Sequence, residues 1–242
     1  MRGVELGVFA TTAEALMRVG GDFYDVFELR DGQVALIAGD YSGKGLDAVG
    51  TAARLRHHLA AHAAAAADPG SFLQEANATL ADMLSARRFA SAVCCTLDHE
   101  NGRLHVSLAG HPAPLRLRAG VVEELIAPPN LTLGIDPRGR FESVSFSLQE
   151  GDVLVLYTDG VTEARYEGTL FGVEGIDRII KDEAATSLTD IARAVVAAAA
   201  AHHDPSLLDD DRLVLLARVP GSLRRRRPED RVVESTHEDS SD

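Results

Sequence analysis

The sequence has little of what builds secreted, membrane-spanning or nucleic-acid-binding chains. Cysteine occurs only at Cys94 and Cys95. Neighbours on a strand point to opposite faces, so this pair suits neither a disulfide nor a shared metal ion and reads as two small core residues. No window approaches the roughly 20 apolar residues that a membrane span needs, and Met1 to Ala10 shows no long apolar run behind a basic cluster. A cytoplasmic location is expected, with no membrane partner. Positive charge is in deficit: 24 Lys and Arg stand against 37 Asp and Glu, a net charge of -13. That balance repels phosphate backbones and makes nucleic acid a poor partner. No internal repeat is visible either.

What the chain does have is enough apolar material, 45% of 242 residues, for one large core. Val4 to Ala10 and Phe23 to Leu29 read as strands, and Arg30-Asp31-Gly32 as a turn into a third, Gln33 to Ala38. An alanine-rich helix is predicted from Gly45 to Ala67, ended by Asp68-Pro69-Gly70, and a second from Ser71 to Ser85. Ala90 to Leu97, Arg103 to Leu108, Pro114 to Leu117 and Val121 to Ile126 form a meander, with Val144 to Leu148 and Val153 to Tyr157 as further strands. Helices at Val173 to Asp182 and Leu188 to Ala201 precede a last strand, Arg212 to Val219. Strand blocks alternating with helix pairs, without a βαβ rhythm, predict an α+β layered fold. One domain is expected over residues 1–219. Residues 220–242, rich in arginine, acids and serine, are expected to be a disordered tail, and Arg224 to Arg227 are diluted by nearby acids.

Four aspartates share a setting beside a strand end or a glycine-rich turn: Asp22, Asp40, Asp159 and Asp210. Singly, each reads as turn chemistry, because Asp next to Gly is common there. Ala35 to Ala38 and Val153 to Leu156, however, are buried-looking strands that run straight into Asp40 and Asp159. Strand ends are rigid places from which to aim carboxylates at a hard cation such as Mg²⁺ or Mn²⁺.

The resemblance to a known family is carried by five segments in order. They are Gly20-Gly21-Asp22-Phe23-Tyr24-Asp25, Gly39-Asp40-Tyr41-Ser42-Gly43-Lys44-Gly45, Ala109-Gly110-His111-Pro112-Ala113-Pro114, Tyr157-Thr158-Asp159-Gly160-Val161-Thr162-Glu163-Ala164 and Asp210-Asp211. Together they resemble the signatures of the stage II sporulation protein E (SpoIIE, RsbU-like) branch of the PPM-type metal-dependent serine/threonine phosphatases. The resemblance implies an αββα four-layer sandwich, two antiparallel sheets flanked by helix pairs, with two Mn²⁺ or Mg²⁺ ions at one edge. It implies that Asp22, Asp40, Asp159 and Asp210 are the catalytic, metal-binding carboxylates and that the Tyr41 carbonyl is a further ligand. Asp211 competes with Asp210 for the last position. Two such ions activate water and stabilise an in-line displacement at phosphorus. One departure stands out: Leu213 occupies a position that usually holds a hydroxyl residue.

The implied substrate is a phosphoserine or phosphothreonine on an anti-anti-sigma (STAS) protein in a partner-switching pathway. The signatures begin by Gly20 and leave no room for a sensor domain, so control is expected from another chain, from a homodimer, or from a parent protein. Two rivals are a catalytically silent phosphoprotein-binding module of the same fold and a small-molecule phosphoesterase.

Several residues have competing readings. Gly39 to Gly45 departs from Walker A, with three residues rather than four before the Gly-Lys pair and Gly45 where Ser or Thr is required. Lys44 reads equally as a contact to the substrate phosphate or as a solvated turn lysine. His111 is a candidate substrate contact and, more in keeping with its Gly-Pro surroundings, a structural brace. His58 and His62 have the spacing of a helical metal pair but lack the acidic residue of the metalloprotease pattern, and a solvated face is the better reading. Glu163 either orients a water or caps a turn.

Overall fold

Several strands here are buried on both faces, so each sheet has to be covered on two sides. The computed structural model describes residues 4–12, 20–29, 32–43, 46–63, 68–81, 88–183 and 186–219. Its strands are β1 (Glu5–Thr11), β2 (Asp22–Glu28), β3 (Gln33–Tyr41), β4 (Ala90–Asp98), β5 (Arg103–Ala109), β6 (Leu115–Arg118), β7 (Val121–Glu124), β8 (Ser143–Ser147), β9 (Val153–Tyr157), β10 (Arg165–Tyr166), β11 (Thr169–Leu170) and β12 (Arg212–Arg218). The helices are α1 (Leu46–Ala63), α2 (Pro69–Ala81), α3 (Asp159–Thr162), α4 (Gly172–Asp182) and α5 (Leu188–Ala201).

Two five-stranded antiparallel sheets carry the fold, in the orders β1-β12-β9-β6-β7 and β2-β3-β4-β5-β8. Alternate residues of each strand go to different cores. On β3 and β4, Leu36 and Cys95 point between the sheets, against Leu154, Leu156, Leu213 and Leu215 of the other sheet. Ile37 and Cys94 face the opposite way, into a second core with Leu55 and Leu59 of α1 and Phe72 and Leu73 of α2. Adjacent cysteines therefore serve two different layers. The other sheet repeats the pattern: Val153, Val155, Val214 and Leu216 pack under Ile176 and Ile180 of α4 and Ile191 and Val195 of α5. The outcome is the four-layer αββα sandwich, α+β in class, that the family resemblance implied. Each fully buried Leu or Ile contributes roughly 1.5–3 kcal/mol, and three such cores hold the sheet edges rigid.

Turn chemistry follows local rules. Ala119 and Gly120 both adopt positive φ (48° and 80°) between β6 and β7, the twist that a two-residue hairpin turn requires. Two elements are new relative to the sequence reading, the single-turn helix α3 and the hairpin β10-β11. Arg30, Asp31, Lys44, Gly45, the ends assigned to α1 and α2 beyond Ala63 and Ala81, and the tail at 220–242 lie outside the described residues.

Candidate active site

Antiparallel register sets Asp22, the first residue of β2, directly opposite Asp40 near the end of β3. Two carboxylates facing each other across a strand pair repel. Among the described residues, no Lys, Arg or His stands within ion-pair distance of Asp22, Asp40 or Asp159.

The second sheet supplies the remaining acids. β9 is buried along its whole length and delivers Thr158 and Asp159 at its end, where α3 starts. β12 pairs with β9, Val214 opposite Tyr157, so the residues just before β12, Asp210 and Asp211, come alongside Asp159. Thr158 N–H donates to Leu213 O (3.1 Å), and the Thr158 hydroxyl accepts from Leu213 N–H (3.0 Å) and donates to Asp22 Oδ2 (2.8 Å). Asp211 Oδ2 accepts from Gly21 N–H (2.7 Å). These bonds stitch the two sheets together at the carboxylate edge.

Electrostatics register the crowding. Burial holds the Asp22 carboxyl well above the usual range; the Thr158 hydrogen bond opposes this, and Asp40, Asp211 and Asp159 add to it. Asp40 is pushed up to about 7, first by burial and then by Asp159, Asp210 and Asp211. Asp159 is raised by burial, Asp210 and Glu163. All four aspartates singled out in the sequence thus act on one another, together with Asp211. Asp210 is exposed, whereas the other four are partly buried.

Close backbone approach explains two of the glycines. A Cβ on Gly21 would lie 2.6 Å from both Asp40 Oδ1 and the Tyr41 carbonyl oxygen, well inside contact distance. A Cβ on Gly160 would lie 2.0 Å from Asp211 O. The Tyr41 carbonyl accepts from Gly43 N–H (2.6 Å) at the head of the loop after β3.

The donor set is all oxygen and acidic, and Asp22, Asp40 and Asp159 have no basic partner among the described residues, which suits a hard divalent cation. As they stand, no three His, Cys, Asp or Glu side chains among the described residues close around a single point tightly enough to hold an ion. The fit to a cation therefore rests on donor chemistry and on mutual repulsion that a cation would relieve.

Other candidates fall elsewhere. His111 is buried, its Nε2 against Tyr157 O (3.1 Å) and its Nδ1 against Ser91 Oγ (2.7 Å). A carbonyl only accepts, so Nε2 carries the proton and Nδ1 accepts from Ser91; burial lowers the ring pKa to about 4. With both nitrogens occupied, His111 ties the end of β9 to Ser91 of β4. His62 Nδ1 faces Glu75 Oε2 (3.3 Å) between α1 and α2, outside the carboxylate edge. Glu163 closes α3, its N–H donating to Asp159 O (2.7 Å). Lys44 lies outside the described residues. Sequence reasoning missed the roles of Thr158 and Ser91, since both depend on strand pairing that only the fold supplies.

Comparison with known proteins places these features in a family. The model for stage II sporulation protein E (SpoIIE) matches residues 30–220. Protein IcfG of Synechocystis sp. is 26% identical over 179 residues, covering 63% of this chain and 28% of that protein. Phosphoserine phosphatase RsbU of Bacillus subtilis is 20% identical over 194 residues, covering 79% of this chain and 56% of RsbU. The chain thus spans less than two thirds of the length of either relative. Among solved structures, the SiaA-PP2C domain of Pseudomonas aeruginosa superposes with a TM-score of 0.75 at 23% identity, covering 88% of this chain and 85% of that one. No helix among the described residues is long and apolar enough to cross a membrane.

Proposed function

The chain belongs to the stage II sporulation protein E (SpoIIE) family of PPM-type phosphatases, and we propose on that premise that it is a metal-dependent enzyme hydrolysing phosphoserine or phosphothreonine on a protein. One observation carries the reading: Asp22, Asp40 and Asp159 lie partly buried where the two sheets meet, each carboxyl raised by burial and by neighbouring acids. A cluster of that kind is stable as carboxylates only when cations neutralise it.

Asp22, Asp40, Asp159 and Asp210 would hold two Mn²⁺ or Mg²⁺ ions, with the Tyr41 carbonyl as a further ligand. When bound, the ions supply Lewis acidity toward phosphoryl oxygens and an activated water for in-line displacement. The protein's own groups do the positioning. Thr158 fixes one oxygen of Asp22. Neutral His111 holds the carbonyl of Tyr157, two residues before Asp159. Gly21 leaves room for Asp40 Oδ1 and the Tyr41 carbonyl to sit side by side. Lys44, one residue past the described part of that loop, is assigned to attract the substrate phosphate.

RsbU carries the name phosphoserine phosphatase, and the substrate assigned to this chain is of the same kind, a phosphorylated STAS-domain anti-anti-sigma factor of a partner-switching pathway in the cytoplasm. The catalytic unit is taken as residues 1–219, and regulation as the work of a separate chain or of a homodimer.

The test is direct. The protein turns over 4-nitrophenyl phosphate with Mn²⁺ and loses that activity to a chelator. Asp40→Asn and Asp159→Asn abolish turnover while the circular dichroism spectrum stays near wild type. Full activity in either variant refutes the site. Faster hydrolysis of a phosphorylated STAS protein than of free phosphoserine separates a protein phosphatase from a small-molecule enzyme.

A further inference from the structure

Beside the carboxylate edge lies a second feature that the proposed chemistry does not use. The β10-β11 hairpin is fastened to the chain that follows α5: Asp204 N–H donates to Arg165 O (2.8 Å) and His202 Nε2 bonds Thr169 O (3.0 Å). Between this hairpin, α3 and the turn at 203–208 sits an open pocket of about 220 Å³. Gly160, Glu163 and Asp210 line it together with Arg165, His203 and Arg212. An occupant of this pocket is therefore adjacent to the site where the phosphate would react.

The wall is rich in donors that lack acceptors. Arg212 is nearly buried, with 4% of its side chain exposed, and spends Nη2 on Asp209 Oδ1 (2.5 Å). Its Nε has no hydrogen-bond partner. His203 Nε2 is buried and also unpartnered, since Asp209 Oδ1 lies 3.6 Å away. Arg165 is exposed at the rim and enters no ion pair among the described residues. Of the acids nearby, Asp209 is committed to Arg212, whereas Glu163 and Asp210, which also line the pocket, repel Asp159, so an anionic occupant is drawn toward Arg165. Buried donors without acceptors are uncommon in folded proteins and call for an acceptor from outside.

We propose that this pocket is a subsite for a carboxylate side chain of the phosphoprotein, a Glu or Asp close in sequence to the phosphorylated residue. A carboxylate is acceptor-only and pairs with guanidinium in a fork, which suits the exposed Arg165, with the positive charge of Arg212 in the wall behind it. The surroundings fit a protein rather than a small free ion: Tyr166, Leu170, Leu207 and Leu208 are exposed around the hairpin and the turn, Leu208 by 90%, and apolar contacts of this kind belong to protein interfaces. The proposal rests on the phosphatase reading for its substrate and on the pocket for its chemistry.

Phosphoserine peptides carrying a single Glu, Gln or Lys at each position from three before to three after the phosphoserine test it. At one position, the Glu peptide is hydrolysed with a kcat/KM about 5-fold above its Gln counterpart, the upper size for an ion pair at an exposed rim. In Arg165→Gln the Glu-to-Gln ratio at that position falls to about one, whatever the absolute rate. In Arg165→Glu the preference moves to the Lys peptide, which a merely structural role for Arg165 does not produce. Equal use of Glu and Gln peptides at every position by the wild type overturns the subsite, as does a preference that survives Arg165→Gln. Wild-type turnover of 4-nitrophenyl phosphate runs in parallel. Its absence with Mn²⁺ sinks the phosphatase reading alone, and fluorescence anisotropy on the same peptides then decides the subsite: tighter binding of the Glu peptide, lost in Arg165→Gln, supports it, and equal binding overturns it. Displacement of the Glu and Gln peptides alike by inorganic phosphate at the same concentration, with no Glu preference, identifies a product-phosphate site and also overturns it.

Discussion

The Thr158 hydroxyl donates a 2.8 Å hydrogen bond to Asp22 Oδ2 across 136 positions of sequence. Thr158 holds the N-cap position of α3 yet makes no side-chain capping bond, although a Thr there ordinarily caps. Its hydroxyl accepts from Leu213 N–H instead. A single oxygen thus links the start of β2, the end of β9 and the start of β12.

Thr158→Val removes both bonds while keeping shape. A buried carboxylate oxygen and a backbone N–H lose their partners, which costs roughly 1–3 kcal/mol in urea denaturation. The Mn²⁺ concentration for half-maximal activity rises by about 10-fold, as for other groups that orient a ligand. Thr158→Ser keeps the oxygen and stays close to wild type in both measurements. Equal behaviour of the Val and Ser variants removes Thr158 from the site.

Metal-free protein carries a pH signature. Asp40 is pushed up from 3.8 to about 7, so between those values the folded state holds a proton that the unfolded chain has released. Stability from this group is complete below pH 4 and is lost as pH rises through 7. In a chelator, Asp40→Asn is therefore more stable than wild type at pH 8, by about 2 kcal/mol after allowance for partial exposure. Toward pH 4 the gap closes. Thermal denaturation at the two pH values checks the sign, and a gap that widens on acidification contradicts it.

Asp22, Asp40 and Asp159 were legible because each follows or precedes a glycine at the end of an apolar run, a local pattern that survives translation into a strand end. The layered α+β fold was legible too, since strand-length apolar runs bounded by turn residues and two intervening helix pairs need no tertiary knowledge, while the sandwich itself came from the family resemblance. What escaped was set by pairing. Ser91 reaches His111 and Thr158 reaches Leu213 only once β3, β4, β9 and β12 lie in register, and no spacing announces that. Helix α3 is four residues long and the strands of the β10-β11 hairpin two each, too short for any periodicity to show. The choice between Asp210 and Asp211 was open in the sequence because three aspartates run together.

Gly21→Ala tests the close approach in the site. The added methyl would sit 2.6 Å from Asp40 Oδ1 and from the Tyr41 carbonyl, so one of them must move. Both are assigned as ligands, and kcat/KM on 4-nitrophenyl phosphate falls by at least about 100-fold, because displacement of roughly 1 Å at reacting groups has that effect. Gly120→Ala, where a Cβ meets open space, costs stability through its positive φ and leaves activity near wild type. Comparable activity losses in the two variants would place the effect in folding rather than in the site.

The adjacent pair Asp210 and Asp211 divides into two jobs. Asp211 Oδ2 accepts the Gly21 N–H at 2.7 Å and stands close enough to raise both Asp22 and Asp40; its carboxylate is fastened to the backbone at the head of β2. Asp210 is exposed and acts on Asp40 and Asp159, and it is the residue proposed above as the last ligand. Asp211→Ala should therefore lower the stability of the metal-free protein by roughly 1–3 kcal/mol, the cost of an unpaired buried N–H. Asp210→Asn should leave that stability within about 0.5 kcal/mol, as for surface changes. In Mn²⁺ titrations followed by calorimetry, the proposed assignment requires Asp210→Asn to weaken binding more than Asp211→Asn, since loss of a direct ligand charge costs more than loss of an orienting group. The reverse order of affinities would move the last ligand to Asp211 and leave Asp210 as a solvated turn residue.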